Sequence, residues 1–516
     1  MTSPADPYYL TTAIVYPNGD PHIGHAYEHI ACDVLARFKR LDGYDVRFQT
    51  GTDEHGQKMQ TSAAKQGITA KELADANSAK IRAMDDLLGI SYDRFIRTTD
   101  PDHVAACQEM WRRMEANGDI YLDTYAGWYS VRDEAFYAEE ETELRSDGVR
   151  YAIPTDTEVE WTEEESYFFR LSKYQDRLLE LYRTEGLAMP EHRRNEVASF
   201  VASGLRDLSI SRTTFDWGIP VPGDPKHIMY VWVDALTNYL TGLGFPDVDG
   251  EMFRRYWPAD FHVIGKDIIR FHTVYWPAFL WSAGIELPRN VFAHGFLLVD
   301  GAKMSKSVGN VLDPAQLVDS FGVDPLRFFL LREVTFGQDG SYSAPAIVSR
   351  INSDLANDLG NLAQRSLSMV AKNCGGKVPE AGEPTPEDAA LLQAADALLP
   401  AVRRDLEDLD FHRALDRIWR VIAEANRYFT AQEPWKLRKA DPERMAAVLA
   451  TTLEVLRIVA LLVQPVMPTS MARLLDQLGQ EEGTARMFAA AGQRIRPGTE
   501  LPSPQGIFPR VELPES

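Results

Sequence analysis

The sequence of 516 residues predicts an α/β protein in which a doubly wound parallel sheet is split by an insertion and followed by an α-helical bundle. Three observations predict it. Short apolar, β-branched runs alternate with helical spacing at the start of the chain and again from residue 228. Between these halves lies a strand-like stretch dense in acidic residues. Beyond residue 351 the strand-like runs disappear and only helical spacing remains.

Tyr8 to Tyr16 reads as the first strand, ended by Pro17-Asn-Gly-Asp-Pro21. Ile23, Ala26, Ile30, Val34, Phe38 and Leu41 then recur at three and four residues, one face of a helix, with Gly43 as its stop. Val46 to Thr50 reads as the next strand. Strand, helix and strand form a βαβ unit, the building block of a Rossmann-like parallel sheet. Strand–helix alternation resumes at Ile228-Met-Tyr-Val-Trp-Val and at Phe261-His-Val-Ile-Gly, with a helix expected over Ile268 to Ser282. Long amphipathic helices are expected over 351–372, 386–407, 412–431 and 441–466. The expected domains are 1–117 and 228–295 for the two sheet halves, 118–227 for the insertion, 296–350 for a connecting region, 351–470 for the bundle and 471–516 for a tail.

Hydrophobic residues make up 45% and charged residues 25%, the balance of a soluble protein. Lys and Arg number 54 against 76 Asp and Glu, a formal charge of -22, which argues against a generic polyanion binder. The acidity is localised. Val131 to Glu165 holds 13 acidic and 3 basic residues, whereas Phe411 to Met445 holds 8 basic and 5 acidic. A selective RNA partner therefore stays compatible with the sequence. Cys32, Cys107 and Cys374 lie far apart, offering neither a disulfide framework nor a zinc knuckle and fitting a reducing compartment. No secretory signal is visible, and the apolar run near Val455 to Met467 is interrupted by Arg457, Gln464 and Pro465, so a buried core helix is expected. The expectation is a cytoplasmic protein with no membrane association.

Two motifs carry chemistry. His22-Ile-Gly-His25 sits where strand one meets a helix; unpaired backbone N–H groups and the helix dipole there suit phosphate. Its two imidazoles, three residues apart, share a face and can serve a phosphate whose charge grows. Gly24 leaves room for a nucleotide to approach the backbone. Chance would supply such a pattern about 0.015 times in a chain of this composition. Lys303-Met-Ser-Lys306-Ser, between Gly301 and Gly309, reads as a hinged cationic clamp for a triphosphate.

The pair of motifs, H-I-G-H and K-M-S-K-S in that order on two halves of a split nucleotide fold, resembles the class I aminoacyl-tRNA synthetases, and the form Phe296-Leu-Leu-Val-Asp-Gly-Ala-Lys-Met-Ser-Lys-Ser is similar to the methionyl branch. The resemblance implies that methionine attacks the α-phosphate of ATP to give methionyl-adenylate and pyrophosphate, and that the terminal ribose of a methionine tRNA, initiator included, then takes the methionyl group and releases AMP. It implies His22, His25, Lys303 and Lys306 as catalytic residues, with Gly24 at the ATP. It implies a methionine pocket of Ala13, Ile14, Tyr16, Asp53, Trp232, Ala235, Tyr239 and His272. Asp53 would hold the ammonium, aromatic walls the thioether, and Tyr16 or His272 would hydrogen-bond the sulfur. Asn357, Asn361, Arg365 and Trp435 would read the anticodon, the tryptophan by stacking on its first base. Magnesium is implied as ATP's counter-ion. The insertion becomes the connective peptide of the metal-free subgroup, because Gly127 to Tyr137 contains no cysteine, so no structural zinc is expected. A monomer is expected because no dimerising appendage is recognised, and DNA is not an expected partner. Other class I enzymes fit less well: an insertion of about 110 residues is short for an aliphatic enzyme's editing domain, and a cysteinyl enzyme's zinc ligands are missing.

Overall fold

The structure is a computed structural model that describes residues 5–133, 135–184, 186–299, 301–304 and 310–513. Its centre is a six-stranded parallel sheet of β1 (Pro7–Thr12), β2 (Asp45–Thr52), β3 (Arg94–Arg97), β4 (Ala188–Met189), β5 (Phe261–Gly265) and β6 (Val291–His294). The spatial order is β3-β2-β1-β5-β6-β4. Leu10 pairs with Phe48 on one side of β1, and Thr11 pairs with His262 on the other. The two halves of the chain thus meet between β1 and β5. That is the switch point of the sheet, where the carboxyl ends of neighbouring strands leave a crevice. β6 is buried along its whole length and β1 along all but its first residue, as expected for a parallel sheet covered on both faces.

The first strand is shorter than its apolar run. It ends at Thr12, whose pairing with Val263 is closed by the Ala13 N–H donating to the Val263 carbonyl at 2.9 Å; the Glu28 carboxylate lies 2.8 Å from the same N–H. Ala13 to Tyr16 then leave the sheet, apart from one bridge between Val15 and Thr52. Helix α1 (Ile23–Leu41) follows, burying Ile23, Ala26, Ile30, Val34 and Phe38 as the spacing predicts.

The insertion is dominated by a long antiparallel ribbon, with Ile120–Ser130 paired to Thr157–Phe169 from Ile120↔Phe169 to Tyr129↔Glu160. Glu158, Glu160, Glu163 and Glu165 are exposed along it, so much of the chain's acidity lies on a solvated surface. Ala188–Met189 lies between residues 118 and 227 yet pairs with β6, returning the chain to the main sheet. The apolar run at Ile228 is a strand, Asp224–Met229, but it joins a small antiparallel sheet with Ser211–Arg212 and Pro220–Val221 instead of the parallel one. Helix α2 (Val231–Thr241) starts directly after it. The helix expected over Ile268 to Ser282 is resolved into a 3₁₀ turn at Lys266–Ile268, a widened π turn at Phe271–Tyr275 and a regular helix at Trp276–Ser282. Such π turns concentrate at functional sites.

In the C-terminal region, Ala344–Arg350, a π-helical stretch Ile351–Gly360 and Asn361–Asn373 form one continuous rod. The span 386–407 is two helices, Pro386–Asp396 and Leu398–Glu407, and Phe411–Gln432 and Pro442–Val463 complete the expected set. Short helices Pro434–Ala440 and Pro468–Gln477 were not legible from spacing. Pro442–Val463 is long and apolar enough to cross a membrane, but it is buried as the core helix of the bundle. Sheet and bundle are joined at Arg327, in helix Val323–Glu333. Its fully buried guanidinium donates to Asp33 of α1 at 2.6 Å and to the carbonyls of Leu88, Pro465 and Val466.

Candidate active site

A cavity of about 470 Å³ opens where β1, β5 and β6 end. Its lining includes Ala13, Ile14, Tyr16, His22, Gly24, His25, Asp53 and Trp232, which the sequence singled out, Phe296 and Met304 from the stretch of the second motif, and also Glu28, Lys58 and His294, which the sequence did not single out.

His22 is the N-cap of α1. Its Nδ1 accepts from the Gly24 N–H at 3.1 Å, while the Nδ1 of His25 accepts from the His22 N–H at 3.2 Å. The pair forms a capping box built from imidazoles in place of the usual hydroxyl and carboxylate. The Ile23 N–H donates to the Leu312 carbonyl at 3.0 Å. The expected row of unpaired backbone donors is therefore not present at these residues, because the histidines and Leu312 already cap them. Capping instead fixes the imidazole tautomers: with both Nδ1 atoms accepting, each neutral ring carries its proton on Nε2. The rings stack at 3.8 Å with a 20° interplanar angle. Burial, followed by the neighbouring imidazoles of His22 and His29, holds His25 well below the usual histidine range, in its neutral form. Gly24 is confined as well as open: a Cβ there would lie 2.9 Å from the His22 ring and 3.4 Å from the Met304 methyl.

Met304 thus brings the second motif against the first. Lys303 lies in a two-residue strand, Ala302–Lys303, paired with Leu297–Val299, and Ser305, Lys306 and Ser307 fall outside the described residues.

The expected methionine pocket divides into two layers. Ala13, Ile14, Tyr16, Asp53 and Trp232 face the cavity. Ala235, Tyr239 and His272 are buried outside its lining. Trp232 stacks on Phe271 at 3.8 Å and meets His272 edge-on at 5.9 Å. The Tyr239 hydroxyl donates to His272 Nε2 at 2.7 Å, and His272 Nδ1–H donates to the Ile268 carbonyl at 3.0 Å. Both ring nitrogens of His272 are thereby used, so the expected hydrogen bond from His272 to sulfur is not available in this arrangement. Burial lowers His272 to about 4, against the smaller opposing pull of the Ile268 carbonyl. Tyr16 sits at the cavity wall with its hydroxyl accepting the Met59 N–H at 3.1 Å.

Glu28 and His294 tie the two sheet halves together across the cavity. The Glu28 carboxylate bonds the Ala13 N–H on one oxygen and His294 Nε2–H on the other, each at 2.8 Å. Burial disfavours a charged His294, but the hydrogen bond and charge of Glu28, with the Gly295 carbonyl, outweigh it and raise the imidazole's pKa. The signal for Glu28 was its position one turn beyond His25 on the same face of α1; His294 had none at helical or strand spacing.

A second surface lies on the bundle. Asn357 and Asn361 are exposed on the rod, and the half-buried Arg365 holds its guanidinium 5.4 Å from the Trp435 ring and 4.9 Å from Phe429. Trp435 lies in the first turn of the short helix Pro434–Ala440, behind a left-handed Glu433, and is 38% exposed, enough to offer a face. Asn357 accepts from Arg510 of the C-terminal tail at 2.6 Å, a contact no sequence pattern announced.

The family described as "tRNA synthetases class I (M)" matches residues 8–150 and 149–367, and the "Anticodon binding domain of methionyl tRNA ligase" matches 378–515. The chain belongs to the methionyl class I tRNA synthetases. A methionine–tRNA ligase of Mycobacterium bovis is 63% identical over 514 residues, covering 99% of both chains. One of Brucella suis is 62% identical over 510 residues, covering 98% of this chain and 99% of the relative. The methionyl-tRNA synthetase of Mycobacterium tuberculosis bound by methionyl-adenylate superposes with a TM-score of 0.96 at 62% identity, covering 98% of this chain and all of that one. Its free-state structure gives 0.90 at 59% identity over the whole of both chains. This synthetase thus has the family's α/β architecture, with a parallel sheet and a helical C-terminal region.

Proposed function

We infer that the chain attaches methionine to its tRNA in two steps, through methionyl-adenylate. The observation that carries this reading is the cavity at the switch point, where a stacked pair of Nε2-protonated histidines faces a pocket walled by Trp232 and Tyr16 and holding Asp53. No side-chain nucleophile is required. The methionine carboxylate attacks the α-phosphate, and the chain supplies position and charge. The Nε2–H groups of His22 and His25 donate to phosphate oxygens as negative charge grows, without a proton leaving the enzyme. Lys303 and Lys306 stabilise the departing pyrophosphate, with Gly24 alongside the nucleotide. Magnesium accompanies ATP as part of the substrate complex, and no structural zinc takes part.

Asp53 holds the substrate ammonium by a charge-assisted bond. Ala13, Ile14, Tyr16 and Trp232 enclose the side chain, and a thioether gains favourable contacts with such aromatic walls. Ala235, Tyr239 and His272 form the rigid layer behind them. Asn357, Asn361, Arg365 and Trp435 read the anticodon of methionine tRNAs, initiator included. In this reading 1–117 and 228–295 are the catalytic halves, 118–227 the connective peptide, 296–350 the stem-contact region, 351–470 the anticodon domain and 471–516 a tail, and the enzyme works as a cytoplasmic monomer. ATP–pyrophosphate exchange measured with each amino acid tests the substrate assignment. Exchange with methionine alone supports it; exchange with leucine or cysteine in its place overturns it.

A further inference from the structure

The segment Gly51-Thr-Asp-Glu-His-Gly56, which runs from the end of β2 into a loop, carries Asp53 to the cavity, and the two residues after Asp53 are anchored to different elements. Glu54 is buried and accepts two bonds from Arg97, at 2.7 and 2.9 Å, while its N–H donates to Thr98 at 2.8 Å. His55 Nδ1–H donates to one oxygen of Asp234 at 2.6 Å. The other oxygen of Asp234 accepts from His103 Nε2–H at 2.8 Å, and His103 Nδ1 contacts the Thr241 hydroxyl at 3.0 Å. Asp234 is 1% exposed and lies on α2 between Trp232 and Ala235. One buried carboxylate therefore joins the loop bearing Asp53, the helix bearing the aromatic wall, and helix Pro101–Ala116. Burial pushes the Asp234 carboxyl up, but the charges and hydrogen bonds of His55 and His103 outweigh this and bring it down to about 2. His103, Cys107 and Asp234 offer three atoms within 4.8 Å of one another. They are already bonded pairwise, with Cys107 Sγ 3.2 Å from His103 Nε2, so the cluster is a hydrogen-bonded relay and not a cation cradle.

We propose that Asp234 and His55 are positioning residues for amino-acid recognition, fixing Asp53 relative to the Trp232 wall so that the ammonium and side chain of one substrate are read together. The inference rests on Asp53 holding the ammonium. It implies that His55 acts on substrate binding only through Asp53, and so matters only for ligands that carry an α-amino group.

Pyrophosphate exchange by His55→Ala, His55→Asn, Asp234→Asn and Asp53→Asn, with 4-(methylthio)butanoate (methionine without its amino group) as a competitive inhibitor, tests it. His55→Ala is expected to raise the KM for methionine at least tenfold, leaving the KM for ATP, kcat at saturating methionine and the inhibitor's Ki within twofold. His55→Asn replaces Nδ1–H by an amide N–H and is expected to restore the KM to within threefold. Asp234→Asn keeps the side-chain volume but loses one acceptor, and is expected to follow His55→Ala; it serves as the test should His55→Ala not fold. An unchanged methionine KM in His55→Ala and Asp234→Asn, with a raised one in Asp53→Asn, overturns the inference alone. An equal rise in both KM values and in Ki also overturns it, marking a purely structural role. An Asp53→Asn enzyme with unchanged methionine KM overturns the ammonium reading itself.

Discussion

His22 caps the Gly24 N–H and His25 caps the His22 N–H, each through Nδ1, while their rings stack at 3.8 Å, so the helix start that presents them also sets which nitrogen carries the proton. The capping atom and the proposed phosphate donor are separate atoms of one ring. His22→Asn keeps an acceptor at the cap position, since asparagine is itself a preferred N-cap, but removes Nε2–H. Its thermal stability is expected to stay close to that of the parent while the exchange rate falls about 10²–10³-fold, the usual cost of removing one donor to a developing anion. A matched loss of stability and activity in thermal denaturation and exchange assays would instead make the ring a structural cap alone.

His272 gives a pH signature. Its folded-state pKa of about 4 lies below the unfolded value of 6.5, so the unfolded chain takes up this proton first as pH falls. The stability it contributes is complete above pH 6.5 and is lost on acidification toward pH 4, by about 3 kcal/mol for a shift of this size. Urea titrations of the parent and His272→Gln between pH 7 and 4 are expected to converge by about that amount. Parallel curves would show that His272 keeps its ordinary affinity for protons.

Arg365 and Trp435 should act together, since the guanidinium lies 5.4 Å from the ring. Trp435→Ala is expected to lower kcat/KM for methionine tRNA by about 10–100-fold, a stacking loss of roughly 1–3 kcal/mol, with exchange unchanged. Arg365→Ala combined with it is expected to cost less than the sum of the two, by about 0.5–1 kcal/mol of cation–π coupling. Exchange falling in step with charging would place Trp435 in the fold and not in recognition.

Arg327 joins α1 to the end of the core bundle helix through one buried ion pair and three carbonyls. Arg327→Met leaves Asp33 buried with one cation fewer. Equilibrium denaturation should show a loss of about 3–5 kcal/mol, the cost of breaking a buried pair from one side. Under 1 kcal/mol would mean that Arg37, which also pairs with Asp33, compensates.

The parts of this architecture legible in the sequence are those fixed by neighbours along the chain. The apolar spacing from Ile23 to Phe38 marks one buried face of α1, although the helix also buries Glu28, His29 and Asp33 off that face, which the spacing does not announce. The end of β1 was not legible, because it depends on where pairing with the distant strand at Val263 stops. The π turn holding His272 has no periodic signature, and the run at Ile228 looked like a main-sheet strand because β-propensity does not say which partner a strand finds. The cavity shows the same division. His22, Gly24 and His25 are a contiguous motif, whereas Glu28 with His294, and His55 with Asp234 and His103, become partners only through the fold, across separations of 131 to 266 residues.

If one chain activates methionine in the switch-point cavity and selects its tRNA on a separate helical surface, a change in the anticodon should affect charging and leave activation untouched. Charging of a methionine tRNA transcript and of the same transcript with its first anticodon base changed, measured beside pyrophosphate exchange, tests this most directly. The predicted result is at least a 100-fold drop in kcat/KM for the altered transcript, with methionine-dependent exchange unaffected; equal charging of the two transcripts would contradict it.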